Sequence, residues 1–505
     1  MGTTSESDSK TSLHVEVERK FDVLDSTPSP SFDGLDVVAT VRREPTLTLT
    51  AVYFDTPGRD LAAHRVTLRR RTGGSDAGWH LKLPGEDAER TEIHADFTGG
   101  PEDDVPAALR DVILAIVRDR PLLPVARITN QRATAVLCGA DGNALAEFCD
   151  DHVTASVAGS DTEQRWREWE LELSEDAIKR GTADTELLRR LSRSLRQAGA
   201  AKSKHTSKLA RTLGPSASVY RPILDPGLPA RRAVAEQIEA LLSWDRAVRA
   251  DMEDSVHQMR VAIRTIRSLL QSSPASFGPP DHGALLDELR ELAAMLGAAR
   301  DAEVLADRYR HALDALPQEL LRGPVRERLV DGSRDRYRAE LGKALSAMRS
   351  QRYFRLLDRL EALVLTEPGG PAVVKKNVSK TAVEKDYKRV HQRVEAAAAA
   401  DLAHRDAALH AVRKSAKRLR YAAEANGAKK VARAARTIQT LLGDHHDSVV
   451  SRDHLIEQAD HAHAAGDDTF TYGLLYEQEA HLADRSEQQL EAVLKSLRRA
   501  VEAAL

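Results

Sequence analysis

At 505 residues the chain exceeds the roughly 250–300 residues at which a single hydrophobic core stops growing, so two domains are expected. With 42% hydrophobic and 30% charged residues, no window approaching the roughly 18 uncharged apolar residues of a membrane span, and only Cys138 and Cys149, the sequence excludes a membrane protein, a disulfide framework and a cysteine-ligated metal site. The net charge of −3 is unevenly spread: residues 1–220 carry 29 Lys+Arg against 35 Asp+Glu, and residues 221–505 carry 45 against 42, so any anion site must come from local clustering, and no nucleic-acid or membrane partner is implied. The segment Met1–Thr11 is Ser/Thr- and acid-rich without an apolar run, which predicts a disordered start and a cytoplasmic protein.

From His14 to about residue 210 the chain reads mainly as strands. Polar and apolar residues alternate over 14–21, 47–54, 65–71, 78–83, 91–97 and 167–173, separated by turn formers such as Thr56-Pro57-Gly58 and Gly73-Gly74. Two helical stretches interrupt them, near 106–118 and 185–198. The polar faces of these strands are charged in an ordered way. His14, Glu16, Glu18 and Lys20 share one face; Arg69 and Arg71 another; His80 and Lys82, then Arg90, Glu92 and His94, then Glu168, Glu170 and Glu172 follow. A single strand of this kind would simply face water. Five strands with segregated acids and bases suggest a closed barrel with a wet, charged bore. Bases there can hold a phosphate chain by charge-assisted hydrogen bonds, and acids suit such a site only if a hard divalent cation, Mg2+ or Mn2+, lies between them and the anion.

Glu16-Val17-Glu18-Arg19-Lys20 resembles the ExExK signature of the CYTH superfamily of triphosphate tunnel enzymes. The likeness continues in order through Tyr53-Phe54-Asp55-Thr56, Leu68-Arg69-Arg70-Arg71, Trp79-His80-Leu81-Lys82-Leu83-Pro84, Arg90-Thr91-Glu92, Glu170-Leu171-Glu172-Leu173 and Ser207-Lys208-Leu209. The resemblance implies phosphate contacts at Arg69, Arg71, Lys82 and Lys208, with either Arg127 or Arg132 as a further base. It implies metal coordination by Glu16, Glu18, Glu170 and Glu172, with the family's aspartate at Asp150 or Asp151; strand alternation from Glu147 and Cys149 favours Asp151. Lys20 falls in the catalytic neighbourhood, and Glu92 is implied as a tunnel carboxylate.

Residues 214–229 are rich in Pro and Gly and read as a linker between a domain at 12–213 and one at 230–505. Beyond it the chain is Ala/Leu/Arg/Glu-rich with helical periodicity, and it repeats itself. Val256-His257-Gln258-Met259-Arg260-Val261-Ala262-Ile263-Arg264-Thr265-Ile266-Arg267 aligns without gaps to the segment from Leu409 to Arg420. A second pair, Leu296–Asp301 and Leu442–Asp447, follows. On a helix His257, Arg260, Arg264 and Arg267 fall within about 80° of one another, as do His410, Arg413, Lys417 and Arg420. Like charges at these spacings repel, so two basic stripes in matching register within one chain suggest an anion that neutralises them. Adjacent His445 and His446 cannot both face one ligand on a helix, which disfavours a metal there.

This half resembles the CHAD domain, which implies two four-helix bundles that bind inorganic polyphosphate. The overall expectation is an α+β chain: an antiparallel β-barrel tunnel followed by an all-α domain. The expected activity is metal-dependent hydrolysis of inorganic triphosphate, coupled to polyphosphate binding. A non-catalytic polyphosphate-binding protein, or a CYTH enzyme acting on thiamine triphosphate or a nucleotide (adenylate cyclase included), are the alternatives.

Overall fold

The computed structural model describes residues 11–32, 35–84, 89–97, 104–179, 185–214, 229–272, 277, 282–365, 380–425 and 427–504. Residues 1–10 of the expected disordered start and 215–228 of the expected linker lie outside the described residues; Thr11 already belongs to a strand. The chain forms two compact units, one of Met1–Ser272 with Ala347–Glu367, the other of Ser273–Ser346 with Pro368–Leu505.

The strands are β1 (Thr11–Val23), β2 (Thr40–Arg43), β3 (Leu47–Asp55), β4 (Thr67–Thr72), β5 (Gly78–Pro84), β6 (Glu89–Ala95), β7 (Leu123–Cys138), β8 (Ala144–Val157), β9 (Glu163–Leu173) and β10 (Ala201–Lys202). The helices are α1 (Asp60–Ala63), α2 (Ala107–Val112), α3 (Leu114–Val117), α4 (Glu175–Lys179), α5 (Thr185–Gln197), α6 (Lys208–Leu213), α7 (Pro229–Arg249), α8 (Ser255–Ser272), α9 (Gly283–Asp314), α10 (Gly332–Met348), α11 (Gln351–Leu365), α12 (Lys380–Ala399), α13 (Leu402–Ala425), α14 (Lys429–Ala464) and α15 (Phe470–Glu502).

In the first unit the strand order β1-β6-β5-β4-β3-β7-β8-β9 returns to β1, closing an antiparallel barrel of eight strands, with β2 and β10 appended. Closure is possible because β1 divides its pairing. Its N-terminal part faces β6 as far as Val17 opposite Glu89, and its C-terminal part faces β9 from Glu18 opposite Glu172.

The two-residue period of the strands puts apolar side chains outside this barrel rather than inside it. Val17, Phe21, Trp169 and Leu171 are buried beneath Leu188, Leu191 and Leu195 of α5. Phe54, Leu68, Trp79 and Leu81 are buried beneath Leu61 of α1 and Leu109, Ile113 and Ile116 around α2 and α3. Each such side chain removed from water contributes about 1.5–3 kcal/mol. Inside, one stretch of the bore among the described residues is apolar. There Leu209 and Leu213 of α6 pack on Ala51, Tyr53, Ile128, Val153, Ala155 and Trp166. The Ser207 hydroxyl caps α6 by accepting the Ala210 N–H at 3.0 Å, which sets Lys208 as the first residue of the helix.

The stretch read as one helix over 106–118 is two short ones, ended by Arg118 in the left-handed region at φ 58°. The Arg118 side chain is buried and ion-pairs with Asp358 and Glu361 of α11. Beside it Arg249 of α7 joins Asp245, Asp111 and the Met348 carbonyl at 2.6, 3.2 and 3.0 Å, and Tyr353 donates to Asp245 at 2.7 Å. Helices α7 and α11 thus belong to the compact unit that contains the barrel.

In the second unit α12 to α15 form a four-helix bundle around Val390, Val412, Leu419, Ile438, Leu442 and Leu497. Tyr309 and Leu313 of α9 pack with Leu455, Tyr472 and Leu475. The N-terminal closed barrel and the all-helical C-terminal region are the fold class expected.

Arg118 generates a test. Arg118→Ala leaves Glu361 without its buried partner, and breaking buried pairs costs about 3–5 kcal/mol; because Asp358 is half exposed, about 2–3 kcal/mol is expected here. Urea denaturation of the full chain, wild type against variant, measures it.

Candidate active site

The inner face of the barrel is set by the phase of each strand. On β1 that face carries Glu16, Glu18 and Lys20; on β4, Arg69 and Arg71; on β5, His80 and Lys82; on β6, Arg90 and Glu92; on β7, Ile128, Asn130 and Arg132; on β9, Glu170 and Glu172. All of these but His80 line a bore of about 410 Å³. Lys208 enters it from the start of α6.

Three groups of contacts organise the charges. Lys208 Nζ sits among Glu170 Oε1 at 2.8 Å, Glu168 Oε1 at 2.8 Å and Asp151 Oδ2 at 2.9 Å. Arg132 grips Asp151 in bidentate fashion, Nε to Oδ1 at 2.8 Å and Nη2 to Oδ2 at 2.6 Å, and also reaches Glu170 at 2.5 Å. Lys20 bridges Glu18 at 2.7 Å and Glu170. Across the bore Lys82 holds both Glu16 oxygens at 2.8 and 2.6 Å, and His80 Nδ1 meets Glu92 at 2.9 Å while Arg69 lies 3.5 Å from it. Arg71 ion-pairs with Asp76.

The open alternatives resolve by strand phase. Asp151 is fully buried and faces the bore, whereas Asp150 faces away and binds Arg167 at 2.8 and 2.6 Å. Arg132 lines the bore. Arg127, named as a candidate phosphate contact, is corrected here: it is exposed on the outer face of β7, five residues and therefore one pleat phase away from Arg132. His14 is paired opposite Glu92 in the β1–β6 ladder. Glu168, which strand alternation places on the charged face but which the family resemblance leaves out of the site, belongs to it. It continues the alternation of Glu170 and Glu172, is buried, and accepts the Trp166 indole N–H at 2.5 Å. Within the Tyr53–Thr56 motif, Asp55 is structural. Its buried carboxylate accepts the N–H groups of Thr56, Leu61 and Ala62 at 2.7–2.9 Å and so fixes α1.

Burial and charge set the proton affinities. Burial pushes Glu16 up to about 8, aided by a hydrogen bond shared with Glu92, against the pull of Lys82. Burial likewise raises Glu172 to about 7, with Glu18 and Glu170 adding repulsion. Burial also opposes the ionised form of Glu170 and Asp151, but Lys20, Lys208 and Arg132 outweigh it and hold these groups low. Burial and Arg69 bring Arg71 down to about 9, and burial lowers His80 to about 4. Two buried donors, Arg69 Nε and Arg71 Nε, have no hydrogen-bond partner among the described residues.

These residues fit a divalent cation. Asp151, Glu168 and Glu170 each offer an oxygen, all within 4.8 Å of one another, and an all-oxygen donor set suits a hard ion. Lys208 occupies the centre of that trio, so ammonium and cation would compete for it. Glu16, Glu18 and Glu172 lie further along the bore, where burial holds the Glu16 and Glu172 carboxyls above the usual carboxylate range.

In the helical region α8 carries His257, Arg260 and Arg267, half-buried, and Arg264, exposed, beside fully buried Met259, Ile263 and Ile266. In the second unit α13 carries His410, Arg413, Lys417 and Arg420, all half-buried, beside Val412, Ala416 and Leu419. The repeat motif on α14 packs directly on this stripe. A Cβ on Gly443 would reach 3.4 Å from Arg413 Nε, and the His446 ring lies 4.3 Å from that of His410. Burial, followed by His446, Lys414 and Arg413, brings His410 down to about 4. His445 points the other way, buried against Glu487 at 3.3 Å, so the two adjacent histidines do have separate surroundings.

The sequence matches the CYTH domain over residues 14–207 and the CHAD domain over residues 232–456. It is 56% identical over 507 residues to the Mycobacterium tuberculosis protein Rv2226 (strain H37Rv), covering 97% of this chain and 98% of that one. The chain belongs to the CYTH–CHAD family. CYTH domain proteins act as triphosphate tunnel metalloenzymes, triphosphatases or cyclases. Among solved structures the chain is similar to the CHAD domain from the plant Ricinus communis, at 26% identity over 55% of this chain and 91% of that one, TM-score 0.39. It is also similar to the putative adenylyl cyclase HpAC1 from Hippeastrum, described as having a dominant triphosphatase activity, at 20% identity over 40% of this chain and 98% of that one, TM-score 0.23.

The Lys208 cluster of this CYTH barrel gives a test with a worked sign. Asp151 and Glu170 are held low in the folded state, so their contribution is present above the ordinary carboxylate range and is lost as pH falls. Lys208→Met should therefore destabilise fully at pH 7, with the deficit shrinking only as the pH falls below the ordinary carboxylate range, to 3 for instance. Mg2+ or Mn2+ should restore part of it at pH 7, since the cation then has the three carboxylates to itself. Thermal denaturation at both pH values, with and without metal, reads both effects.

Proposed function

We propose that the CYTH barrel hydrolyses inorganic triphosphate with the help of a divalent cation, and that the CHAD region binds inorganic polyphosphate. The observation that carries the first part is the buried Nε of both Arg69 and Arg71, each without a hydrogen-bond partner among the described residues even though the guanidinium ends meet Glu92 and Asp76 and the bases Lys20, Lys82, Arg132 and Lys208 are engaged by carboxylates. A phosphate chain would satisfy those donors and draw Lys82, Arg132, Lys20 and Lys208 toward it. The carboxylates so released would hold the cation, Asp151, Glu168 and Glu170 first.

In this reading the arginines fix the phosphate chain and stabilise the charge that grows on the departing phosphate when the anhydride P–O bond breaks. When bound, the cation neutralises phosphate oxygens and makes water a better nucleophile. Glu172, whose proton comes and goes near pH 7, is placed to take up the proton of the attacking water. Lys20 holds Glu18 and Glu170 apart and in position.

Glu16→Gln or Glu18→Gln should each lower orthophosphate release from tripolyphosphate at least about a hundredfold while leaving the circular dichroism spectrum unchanged. Wild-type turnover in either variant under saturating metal would remove that residue from the reaction. Because Glu172 and Glu16 are raised to about 7 and about 8, both are largely protonated at pH 6.5 and largely ionised at pH 8.5. Mn2+ affinity should rise across that window, and binding at pH 6.5 should release protons. Calorimetry in two buffers of different ionisation enthalpy measures the release.

For the helical region the support is electrostatic. Arg267 Nε, Arg413 Nε and Arg420 Nε are buried without a hydrogen-bond partner among the described residues, on two stripes that the sequence repeats. Polyphosphate binding should weaken steeply with salt, because pairing it releases condensed counterions. Arg413→Glu with Lys417→Glu, or Arg260→Glu with Arg264→Glu, should each cost at least about tenfold in affinity for long-chain polyphosphate at low salt. A titration of the full chain at two salt concentrations decides, and salt-independent binding would contradict the reading.

A further inference from the structure

The turn between β4 and β5 reaches back into the bore. Gly73 and Gly74 both adopt the left-handed region, at φ 84° and 78°. They fold the turn down so closely that a Cβ on Gly73 would stand 2.3 Å from the Thr48 carbonyl oxygen, and one on Gly74 3.3 Å from Asp76 Oδ1. The Asp76 carbonyl accepts the Nε2–H of buried His80 at 2.9 Å, which fixes the backbone of the turn. The Asp76 side chain lines the bore and ion-pairs with Arg71.

This pair is built differently from its neighbours. Lys82, Arg132 and Lys20 are held by Glu16, Asp151 and Glu170, which are buried acids on strands. Drawing one of those bases toward a phosphate leaves a buried carboxylate that needs a cation or a proton. The Asp76 side chain, by contrast, is 57% exposed, while that of Arg71 is 9% exposed. With its backbone pinned, Asp76 can turn its carboxylate out by side-chain rotation, and water then solvates it. Arg71 is the member that cannot be left alone. Burial and the neighbouring charge of Arg69 already disfavour its charged form, so the guanidinium requires an anion beside it. A carboxylate and a phosphate present similar pairs of oxygens to a guanidinium.

We infer that Asp76 is a displaceable stand-in for phosphate, and that Arg71 is the entry subsite of the bore, where the first phosphate of a linear inorganic chain is held without a cation. The inference rests on the reading of the bore as a triphosphate site and gives its filling an order. Phosphate displaces Asp76 from Arg71 first; the pairs on Glu16, Asp151 and Glu170 open afterwards, with the cation. Asp76 therefore competes with the ligand, and its removal tightens binding. An acid that only oriented Arg71 for phosphate would show the opposite sign.

The test is a double-mutant cycle in the full chain, with Asp76→Asn, Arg71→Gln and the two combined; the helical stripes are the same in every chain of the cycle. Calorimetry with tripolyphosphate, in a chelator and free of divalent cations, should show Asp76→Asn binding at least about threefold more tightly than the wild type. In the Arg71→Gln background the same substitution should change affinity by less than about 1.5-fold. Asp76→Ser should repeat the result, and circular dichroism checks that each chain is folded. Unchanged or weaker binding in both Asp76 variants would overturn the proposal. So would a tightening that survives in the Arg71→Gln chain, the mark of a general charge effect at the mouth, or one that appears only with Mn2+ present. Kinetics separates the proposal from the activity on which it rests. If tripolyphosphate is hydrolysed, its KM should fall at least about threefold in Asp76→Asn. Hydrolysis with an unchanged KM leaves the activity standing and removes the stand-in. Tighter binding without any hydrolysis removes the activity and keeps the entry subsite.

Discussion

Mutual neutralisation of acids and bases inside the barrel is the constraint from which the rest of the first unit follows. An ion removed from water without a partner costs several kcal/mol, and the bore gathers many. Lys208 among Asp151, Glu168 and Glu170, and Lys82 on Glu16, make this tolerable in the absence of a ligand. The same pairing obliges any phosphate to arrive with a replacement cation for the carboxylates, or with protons. An anion alone would strand the acids, and a cation alone would strand the bases.

The price of a charged interior is that hydrophobic burial must be found elsewhere, and it is found outside. Helix α5 covers one side of the barrel and α1 to α3 another, so the strand segments beneath them are buried on both faces, by oil on one and by ion pairs on the other. Only α6 breaks the pattern, placing Leu209 and Leu213 within the bore and presenting Lys208 at the boundary between the apolar stretch and the charged one.

Much of this is legible from the two-residue period. The alternation of Glu16, Glu18 and Lys20, or of Glu170 and Glu172, predicts a shared face without any structure, and counting from Glu147 and Cys149 selects Asp151. The same counting, carried back from Arg132 through Asn130 and Ile128, separates it from Arg127, whereas motif matching alone admits both. Glu168 escapes motif matching for a similar reason: the motif begins at Glu170, while the strand's inner face does not. What period cannot give is which carboxylate holds which ammonium, since that depends on strands distant in sequence meeting across the bore. In the helical region the repeat is visible because both copies keep apolar and basic stripes at helical spacing; the packing of His410 against His446 is not, because it needs α14.

The division of the chain into compact units has a consequence for how such proteins are taken apart. The bonds from Arg118 to α11 and from Arg249 to Asp111 join the barrel's outer helices to segments that lie beyond the Pro/Gly-rich stretch and, for α11, beyond an excursion of some seventy residues through the second unit. Sequence order and physical partition therefore disagree. A barrel grafted onto another helical partner would carry exposed, unpaired Arg118 and Asp111 unless α7 and α11 travelled with it, so the natural unit of exchange is a discontinuous one.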